Sequence, residues 1–298
     1  MGSQRSRGWV VIAVGVMLVI VAVGVLAGLH LTSGDLRQPT TSAPPRPTVS
    51  KAPDSQISTA PTDLNASFAE LAATVGGSLG VSYAAVGSTE PAVHLGNWIS
   101  GPAWSTMKVP LAIAALRAQD TPGVTAPMDA AITESDNAAA DTLWTGLGTP
   151  DQAAGKIDAV LREAGDPTTV ESRKIRPEYS AFGQTDWSLT NQARFLAAAV
   201  CDARDAQVFE LMGRIGSDQS WGLGTVAGTR FKGGWGPSET GAYLVRQLGI
   251  MHTDRGDIAV AIAAQPNSGS FADGTTALTT VSSWLQSHAA ELPAGRCR

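Results

Sequence analysis

Residues 9–31 contain no Asp, Glu, Lys or Arg, and Val, Ile, Leu, Ala, Met and Gly dominate them. A run this long exceeds the ~20 residues a helix needs to cross the hydrocarbon core of a bilayer. Arg5 and Arg7 precede it and no basic cluster follows, which orients residues 1–8 toward the cytoplasm and the remainder outside. A cleaved signal peptide is the rival reading, but its apolar region is shorter, about 7–15 residues. The expectation is an uncleaved single-pass membrane helix with an extracytoplasmic C-terminal domain. Residues 32–62 follow, with six prolines among Thr, Ser and Ala and no aromatic residue. Such a segment buries too little apolar surface to offset its ordering entropy, so it reads as an extended linker. The fold must therefore be built from residues 63–298, enough chain for a sizeable core. The net charge of −5 leaves no basic patch, so nucleic acid is not expected as a partner.

Within 63–298 the elements sort by position. Phe68–Ala72 reads as the start of a helix and Val81–Val86 as a strand. Helices are expected from near Ser105 toward Gln119, then at Asn137–Leu147, Asp151–Ala164 and Thr190–Asp202. The last third switches to strand character at Thr229–Gly234, Ala242–His252 and Ile258–Ala264, with Asp254–Asp257 as the turn between the final two. Leu278, Val281, Trp284 and Leu285 then mark a closing helix over Gly274–His288. The expectation is an α+β domain whose sheet draws on both ends of the chain.

Three short motifs carry the chemistry. Ser105-Thr106-Met107-Lys108 puts a hydroxyl and an amine three residues apart, on one face of a helix. Alone this spacing is weak. Ser105 falls where a helix begins, however, and Lys108 sits in an apolar stretch where desolvation would lower its pKa and free an amine to act as base. Ser135-Asp136-Asn137 would serve as an ordinary helix cap, but its flanks, Ala130–Ser135 and Ala138–Asp141, add to it. Lys232-Gly233-Gly234 completes the order. This sequence of motifs resembles the class A β-lactamases and the related penicillin-binding proteins, over roughly residues 63–288.

The resemblance implies a β-lactamase-like fold, an antiparallel sheet flanked by helices beside an all-helical region. It implies Ser105 as nucleophile, Lys108 as base and Ser135 as the proton relay to the leaving group. Asn137 would bind the substrate amide, and Lys232 would supply positive potential. Gly234 and Trp235 would lie along the substrate on the strand edge, with the N–H groups of Ser105 and Trp235 as the oxyanion hole. Neither a cofactor nor a metal is required. The implied partner is a small-molecule or peptidoglycan-derived amide.

Two departures matter. Gly233 stands where the family carries Thr or Ser, removing a hydroxyl that helps hold a carboxylate. The stretch between Asp166 and Thr190 lacks the family's E-x-x-L-N, and an ungapped alignment puts Ile175 at the Glu position. Glu178, three residues on, is the candidate deacylating base; an ordinary surface carboxylate is the other reading. Only thirty positions separate Ser105 from Ser135, fewer than in class A enzymes, which implies a more open cleft. A Ser–Lys site lacking the Glu acylates and deacylates slowly. A catalytically degenerate wall-binding or scaffolding domain on the same fold is the alternative.

Cys201 and Cys297 are the only cysteines. An oxidising compartment would let them pair, tying the C-terminus to the end of an interior helix; two unrelated thiols is the other reading.

Overall fold

A computed structural model describes residues 62–298. The expected membrane span and nearly all of the linker lie outside the described residues. Among the described residues no helix is long and apolar enough to cross a membrane. The chain enters through α1 (Thr62–Val75), which begins at the last expected linker residue. It then forms β1 (Gly77–Ala85) and the short β2 (Val93–Gly96).

The helical part follows. A 3₁₀ turn at Trp104–Met107 leads into α2 (Lys108–Arg117), then α3 (Ala126–Thr133), α4 (Asn137–Gly146), α5 (Pro150–Glu163), α6 (Leu189–Ala199) and α7 (Ala206–Leu211). Sequence chemistry sets the starts. Thr149 and Gln152 form a reciprocal capping box ahead of α5, with Pro150 in its first turn. The Asp136 carboxylate accepts from the Ala139 N–H at the start of α4. Nearly every residue of α2 from Lys108 to Leu116 is buried, as expected for a helix apolar on all sides.

The chain then returns to the sheet through β3 (Arg230–Pro237), β4 (Tyr243–Thr253) and β5 (Gly256–Pro266), and closes with α8 (Phe271–Ser287). The sheet is antiparallel, in the order β2-β1-β5-β4-β3. Alternation along β5 divides the core. Ile258, Val260 and Ile262 pack in one cluster with Leu64 and Phe68 of α1 and Trp284 and Leu285 of α8. Ala259, Ala261 and Ala263 belong to the other cluster, with Phe195 and Leu196 of α6. Strand side chains alternate between faces, and the alanine row lets the helical part approach closely. Cys201, just beyond α6, is disulfide-bonded to Cys297.

Candidate active site

Ser105 is half-buried on the 3₁₀ turn that feeds α2. Its N–H is one of the donors that the start of a helical turn leaves unpaired. Trp104, the residue before it, holds a left-handed φ of 49°. The turn is braced from inside. The Thr106 hydroxyl donates to Ala103 O at 2.5 Å and accepts from Gln192 Nε2 at 2.9 Å. Gln192 Oε1 in turn accepts from Arg246 Nη2 at 2.7 Å. The Arg246 guanidinium also donates to the carbonyls of Gly101, Pro102 and Trp187 and lies over the Trp98 ring. Arg246 is fully buried; burial presses its pKa down, opposed in part by Asp186.

Two lysines converge on Ser135. Lys108 Nζ donates to Ser135 O at 2.5 Å and Asn137 Oδ1 at 2.8 Å, with longer contacts to Asp136 O at 3.2 Å and Ser135 Oγ at 3.4 Å. Lys232 Nζ lies 2.8 Å from Ser135 Oγ and 3.1 Å from Gly233 O. Ser135 sits at φ 58°, outside the helix that Asp136 caps. Burial lowers the Lys108 pKa to about 8, against the opposing pull of Asp136 and Asp141. Burial lowers Lys232 well below the usual lysine range, and the neighbouring Lys108 charge adds to the effect. The two amines cannot both hold a full charge so close together in a desolvated site. Neither hydrogen-bonds to Ser105 Oγ; both are centred on Ser135 instead.

Strand β3 closes the site from the edge of the sheet. A Cβ on Gly234 would lie 2.9 Å from Ser105 N and 2.8 Å from Thr106 N, so only glycine lets the strand approach the Ser105 turn this closely. Gly233 points the other way: a Cβ there would meet Trp221 at 3.2 Å and Trp235 at 3.4 Å. Trp221, Trp235, Phe271 and Tyr243 form a contiguous aromatic group, with ring centroids 5.5–6.0 Å apart.

The cleft over Ser105 has a volume of about 330 Å³. It is lined by Trp104, Tyr179, Trp235 and Tyr243 together with the polar side chains of Asn137, Asp141, Lys174 and Glu178. Glu178 thus faces the same cleft as Ser105, but its side chain is 56% exposed and paired with Arg176. Ile175, at the position aligned with the family's Glu, is 63% exposed and lines a neighbouring cavity of about 340 Å³, with Trp98 and Leu244, that shares Trp104, Gly236 and Pro237 with the cleft. Its segment is anchored by Asp166, which accepts from Trp187 Nε1 at 2.6 Å and from Thr168 N.

Of the sequence-predicted residues, Ser105, Asn137, Trp235 and Glu178 line one cleft, and Lys108, Ser135 and Lys232 lie behind it in one hydrogen-bonded cluster. Sequence reasoning missed Asp141, Tyr179, Tyr243, Trp221 and the Arg246–Gln192–Thr106 brace. Asp141 had a signal: it lies four residues after Asn137, one turn along the same helix face.

No protein-family model matches the chain, and no curated protein matches it. Solved structures do. The β-lactamase of Streptosporangium roseum superposes with a TM-score of 0.59 at 16% identity, covering 78% of this chain and 100% of that one. The class A β-lactamase of Mycobacterium abscessus gives 0.57 at 17% identity, covering 75% of this chain and 99% of that one. The chromosome-encoded β-lactamase of Vibrio parahaemolyticus gives 0.58 at 15%, covering 77% and 100%. The described domain has the class A β-lactamase fold.

Proposed function

We propose that this chain is a membrane-anchored, extracytoplasmic serine hydrolase that acts through an acyl-enzyme on an amide of the β-lactam or peptidoglycan-peptide kind. The observation that carries the reading is the cluster of two pKa-depressed lysines on one serine, behind a cleft that holds a second, unbonded serine hydroxyl. Ser105 Oγ attacks the substrate carbonyl and its proton passes to the neutral Lys108 amine. Ser135, touched by both lysines, hands a proton to the departing nitrogen. The N–H groups of Ser105 and Trp235 hold the oxyanion, each worth about 3 kcal/mol in the transition state. Water then cleaves the Ser105 ester and returns the proton to the serine. An exposed, arginine-paired Glu178 is a poor water-activating base, so the second step is slow.

Intact-mass spectrometry with a reactive penicillin and with a neutral aryl thioester, beside Ser105→Ala, tests this. An acyl adduct on the wild type and none on the variant is the expected result. No adduct and no consumption of either compound would favour the degenerate wall-binding reading, which the missing Ser105–Lys108 hydrogen bond also suits.

A further inference from the structure

Two carboxylates, those of Asp141 and Glu178, line the Ser105 cleft, and they are held differently. Glu178 is ion-paired with Arg176 at 3.2 Å, and that guanidinium is fixed in turn by the Pro237 carbonyl and the Tyr179 ring. A carboxylate tied to a fixed cation is a weak proton acceptor, because the cation stabilises its charged form. Asp141 has no such tie. Among the described residues no hydrogen bond or ion pair holds its carboxylate, and the Thr145 hydroxyl bonds to its backbone carbonyl instead.

Helix α4 sets where this carboxylate stands. Asn137 opens the helix and accepts from Lys108 Nζ at 2.8 Å. Asp141 lies one turn further along the same face, and both residues line the cleft with Ser105. The Asp141 charge is felt at Lys108, where it opposes the effect of burial on the amine. The carboxylate therefore stands on the lysine side of the cleft. It is also solvent-exposed, so water reaches it without displacing any protein group.

We infer that Asp141 is the base of the second step, taking a proton from the water that attacks the Ser105 ester. The inference rests on the proposed acyl-enzyme reading and adds a catalytic residue to it. The water oxygen bonds to the ester carbonyl carbon as one of its protons moves to the Asp141 carboxylate. The bond from that carbon to Ser105 Oγ then breaks, the proton passes from Asp141 to Oγ, and the free acid leaves. Serine and carboxylate end as they began, with one water consumed. An exposed base orders its water loosely, in keeping with a slow second step. On the first step the same charge acts in the opposite direction. An anion near Lys108 favours the ammonium form, and only the neutral amine can take the serine proton. One carboxylate thus speeds deacylation and restrains acylation, an antagonism that a purely structural role would not produce.

The test uses the full chain in detergent, labelled at pH 7 with the reactive penicillin and separately with the neutral aryl thioester, then freed of excess reagent. Intact mass follows formation and loss of the Ser105 adduct as two separate rates. In Asp141→Asn the adduct should persist about tenfold longer or more, while acylation is as fast or faster and its pH profile moves to lower pH. Lys174, Tyr179, Tyr243 and Glu178 are the other titratable side chains lining the cleft, Asp136 is the other carboxylate felt at Lys108, and all are unchanged in this variant. Asp141→Glu, which keeps the carboxylate, should retain much of the turnover, and Glu178→Gln should lengthen the life of the adduct far less than Asp141→Asn. An unchanged adduct lifetime in Asp141→Asn, slower acylation with the same lifetime, or equal slowing of both steps would overturn the inference and leave Ser105 as nucleophile. Neither adduct nor consumption with the wild type and either compound would overturn the acyl-enzyme reading itself, and the inference with it.

Discussion

Gly234 and Ser105 touch backbone to backbone: a β carbon on the glycine would stand 2.9 Å from the serine nitrogen. That nitrogen is one of the two proposed oxyanion donors, so the width of the site is set by the absence of a methyl group on β3. Gly234→Ala must push the 3₁₀ turn away from the strand. Overpacking of this kind costs about 1–3 kcal/mol, and a displaced oxyanion donor costs about 10²–10³ in rate. A modest drop in melting temperature with near-complete loss of Ser105 acylation is the expected outcome, read by calorimetry and intact mass. Unchanged acylation would separate the strand from the oxyanion hole.

Proton traffic should show in the pH profile. Lys108 titrates near 8 in the folded protein, so its amine is protonated below that pH and cannot take the serine proton. Acylation is expected to rise with pH through an apparent pKa near 8 that belongs to the coupled lysine pair, and to level above it. Stability moves the same way. The unfolded chain holds the Lys108 proton up to the ordinary lysine value of 10.5 while the folded chain releases it near 8. Unfolding therefore takes up a proton between those values, and stability increases with pH across that window. Stopped-flow acylation and denaturant midpoints between pH 6 and 10 check both; a flat rate profile would remove Lys108 as base.

The Arg246 brace is a separate prediction. Arg246→Met keeps the bulk of the side chain but leaves the Pro102 and Trp187 carbonyls and Gln192 Oε1 without the guanidinium donors, while the Gly101 carbonyl keeps only the Trp187 N–H. Each buried acceptor left unpaired costs about 1–3 kcal/mol, so the variant should be destabilised by several kcal/mol or fail to fold. Gln192→Met is the milder probe, because it releases only the Thr106 link and one arginine contact. It should lower the acylation rate more than substrate affinity, since it loosens the turn bearing Ser105 and leaves the cleft walls in place.

The Cys201–Cys297 disulfide spans 96 positions. Closing a loop of that size restricts the unfolded chain by about 4–5 kcal/mol in the entropic account. Cys201→Ala with Cys297→Ala should lower the unfolding midpoint accordingly, and reductant should do the same to the wild type but not to the double variant. Ser105 labelling should survive, because neither cysteine belongs to the cleft.

Much of this was legible in the sequence because local chemistry decided it. Asp136, Thr149 and Ser188 each cap a helix in the structure, and the Asp254–Asp257 stretch does turn β4 into β5, which pair as far as Thr253 and Gly256. Three elements escape the sequence reading. β2 has four residues and no run long enough for a period to show, and α7 has only six; both depend on neighbours supplied from elsewhere. α3 is short at eight residues, but it carries a local signal, a Thr125 cap with Pro127 in the first turn. At the site, the motifs located the cluster, but what surrounds it is long-range. Lys232 reads as a charge in a glycine-rich strand, and it is buried because it shares a strand face with Gly234, turned toward the helices. The contacts of Arg246 with Gly101 and of Gly233 with Trp221 join positions far apart in the chain, and no period or spacing encodes them. The direct Lys108–Ser105 contact implied by helical spacing is absent because the 3₁₀ turn ends where α2 begins, and the lysine amine lies on Ser135.

Trp104 and Ser135 are the two non-glycine residues in the described domain with positive φ, and one precedes Ser105, the proposed nucleophile, while the other receives both lysines. Each conformation costs a side-chain-bearing residue about 1–3 kcal/mol, a penalty that glycine would escape. At Trp104 the indole is buried in the core and packed on Tyr179, and losing it would cost about 3–5 kcal/mol, more than the backbone penalty, so heat selection would keep it. Ser135 has no such packing to lose: a library screened only for survival on heating should accumulate glycine or asparagine at 135 and unmake the point where both lysines meet. The melting temperature of this domain is held below what its own backbone permits at that one residue.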